Sequence, residues 1–190
     1  IQAIQAYDDF PKMLERDFAI ATAFYYKKQF EYDNAIRLLD IAIDKTFWKK
    51  DKARLQYIVA QLYQELGQNE AAAEAFRKVT KMNPDYTMAF NAMINGAGVF
   101  SGEGNTEDLK KQLNKMLRDK KNVDFRDQIY YALGNIFFRE GNRDVAKDNY
   151  KQSVATSFKN QYQRALSSIT LADIYFEDLN YRGAQSYYDS

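Results

Sequence analysis

Apolar residues recur along the chain with the alternating spacing of four and three that places them on one face of a helix. The clearest sets are Ala35, Leu39 and Ala42; Ala72, Phe76 and Val79; Leu109, Leu113 and Met116; and Ala146, Tyr150 and Val154. Glycine and acidic residues separate these segments from others of similar length. The spacing predicts helix pairs over 12–29 with 32–46, 50–66 with 69–82, 86–100 with 106–120, 124–140 with 143–157, and 161–178 with 181–190.

The whole pattern repeats at a fixed interval. Three predicted turns begin at Gly67, Gly104 and Gly141, which are 37 residues apart. Before each turn a small residue is followed three positions later by an aromatic one, at Ala23 and Tyr26, Ala60 and Tyr63, Ala97 and Phe100, Gly134 and Phe137, and Ala172 and Tyr175. The small residue lets a second helix approach closely, and the aromatic residue fills the seam one turn further on. Each glycine is expected to end a helix in the left-handed conformation.

These columns resemble the tetratricopeptide repeat. The matching residues are Ala60, Tyr63, Gly67, Ala72, Phe76 and Pro84 within 53–84, and Leu133, Gly134, Phe137, Gly141, Ala146 and Tyr150 within 127–158. The resemblance implies an all-α, right-handed solenoid of about five helix-turn-helix repeats with a period of 37–38 residues. The expected repeats are 16–52, 53–89, 90–126, 127–164 and 165–190, with 1–11 as the tail of a preceding repeat. We expect one domain, excised from a longer protein, and the third repeat departs most from the family pattern.

Composition narrows the functional classes. The chain has no His and no Cys, which removes the commonest metal ligands, the usual general base and the thiol nucleophile. No paired-carboxylate or Ser–Lys motif replaces them, so we predict a non-catalytic protein without cofactor or metal. A formal net charge of +1 gives no global field to attract nucleic acid. The longest hydrophobic run, 18–26, is too short to span a bilayer.

Stacked hairpins of this kind curl so that the first helix of each pair lines a concave groove. The predicted groove residues are those that the small and aromatic columns leave unused: Arg54, Tyr57, Gln61, Gln64, Asn91, Ile94, Asn95, Gln128, Tyr131, Asn135, Phe138, Ile169, Asp173 and Phe176. Amide side chains donate and accept hydrogen bonds, which suits an extended peptide, and tyrosine offers a rigid apolar face with a polar tip. We predict a protein or peptide partner, no nucleic acid, and no direct membrane insertion by this segment.

Two alternative functions stay open at this stage. Tyr57 and Tyr131 could stack on a glycan, and exposed Tyr187 and Tyr188 could join copies of the chain into a self-assembling spacer. A carboxylate clamp is disfavoured, because the first-helix positions that would need a lysine are Ile20, Tyr57, Ile94 and Tyr131. A basic patch on one second helix makes contact with an acidic partner a minor option; it comprises Lys110, Lys111, Lys115, Arg118, Lys120 and Lys121.

Glycines in the third repeat have two interpretations. Gly96 and Gly98 interrupt a predicted helix, so they serve either as a hinge or as a place of tight packing. The stretch 96–102 has part of a dinucleotide fingerprint, but Ser101 takes the third glycine position and no strand precedes it. Residues 101–108 lack the alternating oxygen ligands of a calcium loop and are predicted to form a turn with a helix cap.

A second, narrower resemblance lies in the last third of the chain. Residues 127–134, 171–176 and 184–190, together with 113–121, resemble the large tetratricopeptide lipoproteins of Bacteroidetes that are associated with type IX secretion and gliding motility. The resemblance implies a periplasmic protein attached to the outer membrane. A cytoplasmic location is the alternative if no upstream signal exists.

Overall fold

The computed structural model describes residues 11–99 and 106–190. The chain divides into two compact units, Ile1–Val99 and Phe100–Ser190. Within the described residues all regular structure is helical, so the predicted all-α class is confirmed there. The predicted tail at 1–11 lies almost wholly outside the described residues, as do residues 100–102 of the fingerprint-like stretch and residues 101–105 of the calcium-loop-like segment.

The first unit consists of two helical hairpins followed by a single helix. Its helices are α1 (Glu15–Lys28), α2 (Tyr32–Asp44), α3 (Lys49–Glu65), α4 (Asn69–Lys81) and α5 (Tyr86–Val99). Helices α1 and α2 pack together, as do α3 and α4, and α2 then packs against α3 and α4 against α5. A short 3₁₀ turn, Lys12–Leu14, replaces the predicted start of the first helix, because Pro11 precedes it and tight turns are common at helix N-termini.

The second unit begins with one helix and continues with two hairpins. Its helices are α6 (Thr106–Arg118), α7 (Arg126–Arg139), α8 (Arg143–Thr156), α9 (Gln161–Glu177) and α10 (Tyr181–Tyr188). A 3₁₀ segment, Lys120–Phe125, precedes α7 and includes residues 124 and 125, which the sequence predicted as the start of that helix. Its conformation is fixed by Asn122, which is buried and donates to the Met116 carbonyl at 2.8 Å.

The small-residue column is buried throughout, as its predicted packing role requires. Ala60 and Ala97 are fully buried, and so is Gly134. A Cβ built at Gly134 would lie 2.6 Å from Cε1 of Tyr150, which shows that α8 approaches α7 more closely than alanine permits. At Gly96 the same construction meets Phe76 at 3.3 Å, so packing rather than a hinge accounts for that glycine.

The hairpin turns contain two residues that the sequence analysis missed. Gly67 and Gly141 have φ values of 69° and 78°, which confirms the predicted left-handed helix ends. The corresponding positions of the first and last hairpins are Phe30 and Leu179, with φ values of 61° and 59°. Bulky residues are strained in this conformation, and both side chains point into solvent. The strain is therefore not offset by burial.

The repeat boundaries and the single-domain organisation stay predictions. The third predicted pair, 86–100 with 106–120, is divided between the two units, so α5 and α6 are each described within their own unit.

Candidate functional site

In the first unit the predicted groove residues lie on α3 and α5, and none of them is buried. Arg54, Gln61 and Gln64 are exposed along α3, whereas Asn91 and Asn95 are half-buried on α5. Each is held on a helix whose opposite face is packed in the core, so backbone positions are fixed while the polar ends are accessible. Ile94 is also half-buried on α5.

Tyr57 links these two helices rather than offering a free polar tip. Its hydroxyl accepts a hydrogen bond of 2.7 Å from Nδ2 of Asn95, and its ring packs edge-on against Phe76 with 5.4 Å between ring centroids. Burial raises the pKa of the Tyr57 hydroxyl. Tyr57 is thus a packing element as well as a predicted groove residue, and its contact with a ligand stays a prediction. The part of the Asn95 amide left to accept a hydrogen bond is Oδ1.

In the second unit the predicted groove residues lie on α7 and α9, and tyrosines from the following helices orient two of them. Tyr150 donates to Oδ1 of Asn135 at 2.8 Å, and Tyr188 donates to Oδ1 of Asp173. Tyr150 is fully buried, and burial raises the pKa of its hydroxyl. Because Oδ1 of Asn135 is occupied, its Nδ2 group is left to donate.

Tyr131 repeats the arrangement of Tyr57, which lies two periods earlier in the chain. Its hydroxyl is 3.3 Å from Oγ1 of Thr170 on α9, and its ring centroid lies 5.5 Å from that of Tyr150. Like Tyr57, Tyr131 therefore joins one first helix to the next while packing on its own second helix. Gln128, one turn earlier on α7, is half-buried.

The last predicted groove residue on α7 and the last on α9 are both aromatic. Phe138 lies beneath the guanidinium of Arg143, at 5.2 Å from the ring centroid, and is half-buried. Phe176 is exposed and packs edge-on against Tyr181 at 5.4 Å. Ile169 is also exposed on α9. Both rings are therefore fixed by neighbouring side chains, with part of each face accessible.

Two lysines on second helices connect neighbouring repeats of the second unit. Nζ of Lys110 lies 3.0 Å from Oε1 of Glu140 and 5.2 Å from the ring centroid of Phe137. One period later, Lys147 lies 3.1 Å from Oδ2 of Asp178, and this lysine lowers the pKa of the Asp178 carboxyl. Lys110 is thus paired with α7, so the predicted basic patch on the outer surface loses one of its members.

The predicted stacking surface at the end of the chain also needs correction. Tyr187 is half-buried and stacks parallel to Tyr175, with ring centroids 5.7 Å apart. Only Tyr188 is exposed. The two tyrosines therefore do not form one exposed aromatic surface.

A buried polar network joins α7, α8 and α9, and the sequence analysis did not identify it. Ser153 donates to the Asp127 carbonyl oxygen at 2.7 Å and shares a 2.7 Å hydrogen bond with Ser167. Gln163 donates to Ser167, and Ser157 donates to Oδ2 of Asp127. Burial raises the pKa of the Asp127 carboxyl. The sequence feature that could have indicated this network is the four-residue spacing of Ser153 and Ser157. This spacing places both hydroxyls on the same side of the chain at the C-terminal end of α8.

Two kinds of feature are absent from residues 11–99 and 106–190. No group of three or more potential metal-binding side chains is found in this part of the chain. Across the same residues, no helix has both the length and the apolar composition to cross a bilayer.

Comparison with known families identifies two segments. The tetratricopeptide repeat profile matches residues 53–86 and 127–160. The first segment covers most of α3, all of α4 and the first residue of α5, and the second covers α7 from its second residue and all of α8. Both matched segments lie where the residue columns predicted tetratricopeptide repeats. No curated protein matches the sequence.

Solved structures share the fold. RapI in its apo form aligns with a TM-score of 0.74 and 18% identity, over 98% of this chain and 55% of RapI. A Rap protein complexed with competence and sporulation factor aligns with a TM-score of 0.68 and 19% identity, over 99% of this chain and 56% of that one. MamA from Desulfovibrio magneticus RS-1 aligns with a TM-score of 0.64 and 14% identity, over 92% of both chains. These similarities confirm the predicted all-α solenoid class and concern the fold alone.

Proposed function

We propose that the chain is a non-catalytic protein-interaction scaffold whose first helices bind a peptide segment or a helix of a partner protein. The observation that carries the proposal is the fixed orientation of amide groups on these helices. In the first unit Nδ2 of Asn95 donates to the Tyr57 hydroxyl, so Oδ1 of Asn95 is left to accept a hydrogen bond from a partner. In the second unit Oδ1 of Asn135 accepts from the Tyr150 hydroxyl, so Nδ2 of Asn135 is left to donate. Preoriented amides lower the entropy lost on binding a backbone.

Other proteins with stacked helical hairpins support the same proposal. Extended surfaces on stacked helical hairpins serve as binding surfaces in repeat proteins. A Rap protein of similar fold was solved in complex with competence and sporulation factor. Glycan binding and self-assembly are less well supported, because the rings of Tyr57 and Tyr131 are engaged in packing and Tyr187 is half-buried.

A peptide-display selection against the purified chain tests the proposal. Peptides that bind should lose affinity on Gln61→Ala and Gln64→Ala, because both side chains are exposed on α3 and contribute nothing to the core. The matched control is Lys78→Ala on α4, a second helix, where Lys78 is equally exposed. Tyr57→Ala is unsuitable because it removes a packing residue. Equal losses in the control and the α3 variants would contradict the proposal, as would binding to a glycan array without any peptide.

We also propose that the protein works in the cell envelope, within a type IX secretion or gliding complex attached to the outer membrane. Only the sequence resemblance over 113–121, 127–134, 171–176 and 184–190 supports this location. Fractionation of cells that express the native protein tests it directly. Recovery with the soluble cytoplasmic fraction would contradict it.

A further inference from the structure

Two large aromatic side chains project side by side from the connection between α2 and α3. Phe47 is 84% exposed and Trp48 is 68% exposed, and their rings meet edge to face with centroids 5.1 Å apart. Single exposed apolar residues are common on protein surfaces, but adjoining exposed rings form a patch that indicates an interaction site.

The start of α1 adds further apolar and cationic groups at this end of the hairpin. Arg16 donates from Nε to Oγ1 of Thr46 at 3.0 Å, and Lys45 pairs with Glu15, so the residues before α1 lie beside the connection. Four exposed apolar side chains are thus brought to one end of the α1–α2 hairpin: Met13, Leu14, Phe47 and Trp48. These four residues are called the Phe47–Trp48 patch below.

Positive charge surrounds the patch. Residues 11–17 and 44–52 contain six cationic side chains, Lys12, Arg16, Lys45, Lys49, Lys50 and Lys52, against four acidic ones, Glu15, Asp17, Asp44 and Asp51. Glu15 and Asp17 are already paired with cations of the same set. Among the described residues, the four remaining lysines form no ion pair, so their charge is available to an anionic partner.

We propose that the Phe47–Trp48 patch binds the surface of an anionic lipid bilayer. Trp48, whose indole ring is amphipathic, enters the headgroup region, and Phe47 adds apolar area beside it. The lysines contact anionic headgroups while their alkyl chains lie along apolar surface. A protein partner is less favoured, because lysine is depleted in protein interfaces. Contact by two side chains requires no membrane-spanning helix, although it departs from the expectation of no direct insertion.

The chain contains its own probe of this contact. Trp48 is the single tryptophan among the 190 residues, so fluorescence excited at the long-wavelength edge, where the 15 tyrosines do not absorb, reports the patch alone. The experiment titrates the intact chain with phosphatidylcholine vesicles that either contain or lack phosphatidylglycerol. We expect the emission to shift to shorter wavelength and to resist an aqueous quencher only with the anionic vesicles, and the binding to weaken at high salt.

Substitutions of the lysines and of Phe47 separate the electrostatic contribution to vesicle binding from the apolar one. Lys49→Gln should weaken vesicle binding about fivefold, and adding Lys50→Gln should weaken it about fivefold again, since each cation near an anionic surface contributes about 1 kcal/mol. Phe47→Ser should weaken binding while leaving the tryptophan probe in place. Because these side chains are exposed, circular dichroism should show an unchanged fold for each variant.

Phe158 provides the matched control. It is 82% exposed in the connection between α8 and α9, three periods after Phe47, and its neighbour Lys159 is paired with Asp124. Phe158→Ser should leave vesicle binding unchanged. The proposal is overturned if anionic vesicles do not shift the emission, if Phe158→Ser weakens binding as much as Phe47→Ser does, or if poly-glutamate shifts the emission while vesicles do not. The last result would assign the patch to an acidic protein.

Discussion

Replacing Gly134 with alanine tests whether one missing Cβ sets the distance between α7 and α8. The added Cβ would lie 2.6 Å from Cε1, 2.8 Å from Cδ1 and 3.0 Å from Cζ of Tyr150. The ring has little room to move, because Tyr150 is fully buried and its hydroxyl donates to Asn135. The helices must therefore separate, or the hydrogen bond must break.

Two opposing effects determine the size of the change. Alanine is favoured over glycine inside a helix by about 1 kcal/mol. Overpacking a buried contact costs about 1–3 kcal/mol, and a 2.6 Å contact belongs in the upper part of that range. We therefore expect Gly134→Ala to lower the free energy of unfolding by about 1–2 kcal/mol, which for a chain of this size lowers Tm by about 2–8 °C.

Thermal and urea unfolding followed by far-ultraviolet circular dichroism measure this difference. The decisive comparison repeats the substitution in a Tyr150→Leu background, which has no ring to collide with the new methyl group. There Gly134→Ala should be neutral or should stabilise the fold by up to about 1 kcal/mol, the helix preference alone. If the substitution raises Tm in the wild-type chain, or has the same effect in both backgrounds, the ring contact does not explain the glycine.

Three further predictions concern other elements. Leu179→Gly should raise the free energy of unfolding by about 1 kcal/mol, because it relieves a left-handed residue whose side chain is 71% exposed; a lower Tm would count against strain at this turn. Ala60→Leu should lower that free energy by about 1–3 kcal/mol in urea unfolding, whereas Gln64→Leu should change it by about 0.5 kcal/mol or less; equal effects would disprove the helix register. Because the pKa of Asp127 is higher in the folded chain than in the unfolded one, its contribution to stability is present below the unfolded value of about 4 and is lost as the pH rises through the folded value. The stability of the wild-type chain relative to Asp127→Asn should accordingly rise as the pH is lowered from neutrality toward about 4, and parallel pH profiles would refute this.

The helices and their pairing were predictable because they depend on short-range pattern. The spacing of Ala72, Phe76 and Val79 predicted the buried face of α4, and all three are buried. Gly67 and Gly141 marked helix ends because glycine is the residue that adopts positive φ without steric cost. The same reasoning failed at Phe30 and Leu179, where the chain adopts the same turn with residues that do not signal it.

For the candidate site, the sequence predicted which positions lie on the first helices but not which hydrogen bonds their side chains form. Periodicity placed residues such as Gln61 and Asn135 on the first helices with accessible side chains, and the structure finds them there. It did not predict that Tyr57 bonds to Asn95, nor that Tyr150 bonds to Asn135 across the α7–α8 hairpin.

The sequence by itself determined which segments are helical and which of their faces are apolar, because these properties depend on residues within one or two turns of each other. Tertiary structure decided which polar groups are engaged and which are left for a partner. A hydroxyl such as that of Ser153 has the same local pattern whether it faces water or a buried carbonyl. Its partner, the Asp127 backbone, is 26 residues away in the chain and becomes a neighbour only when the helices pack.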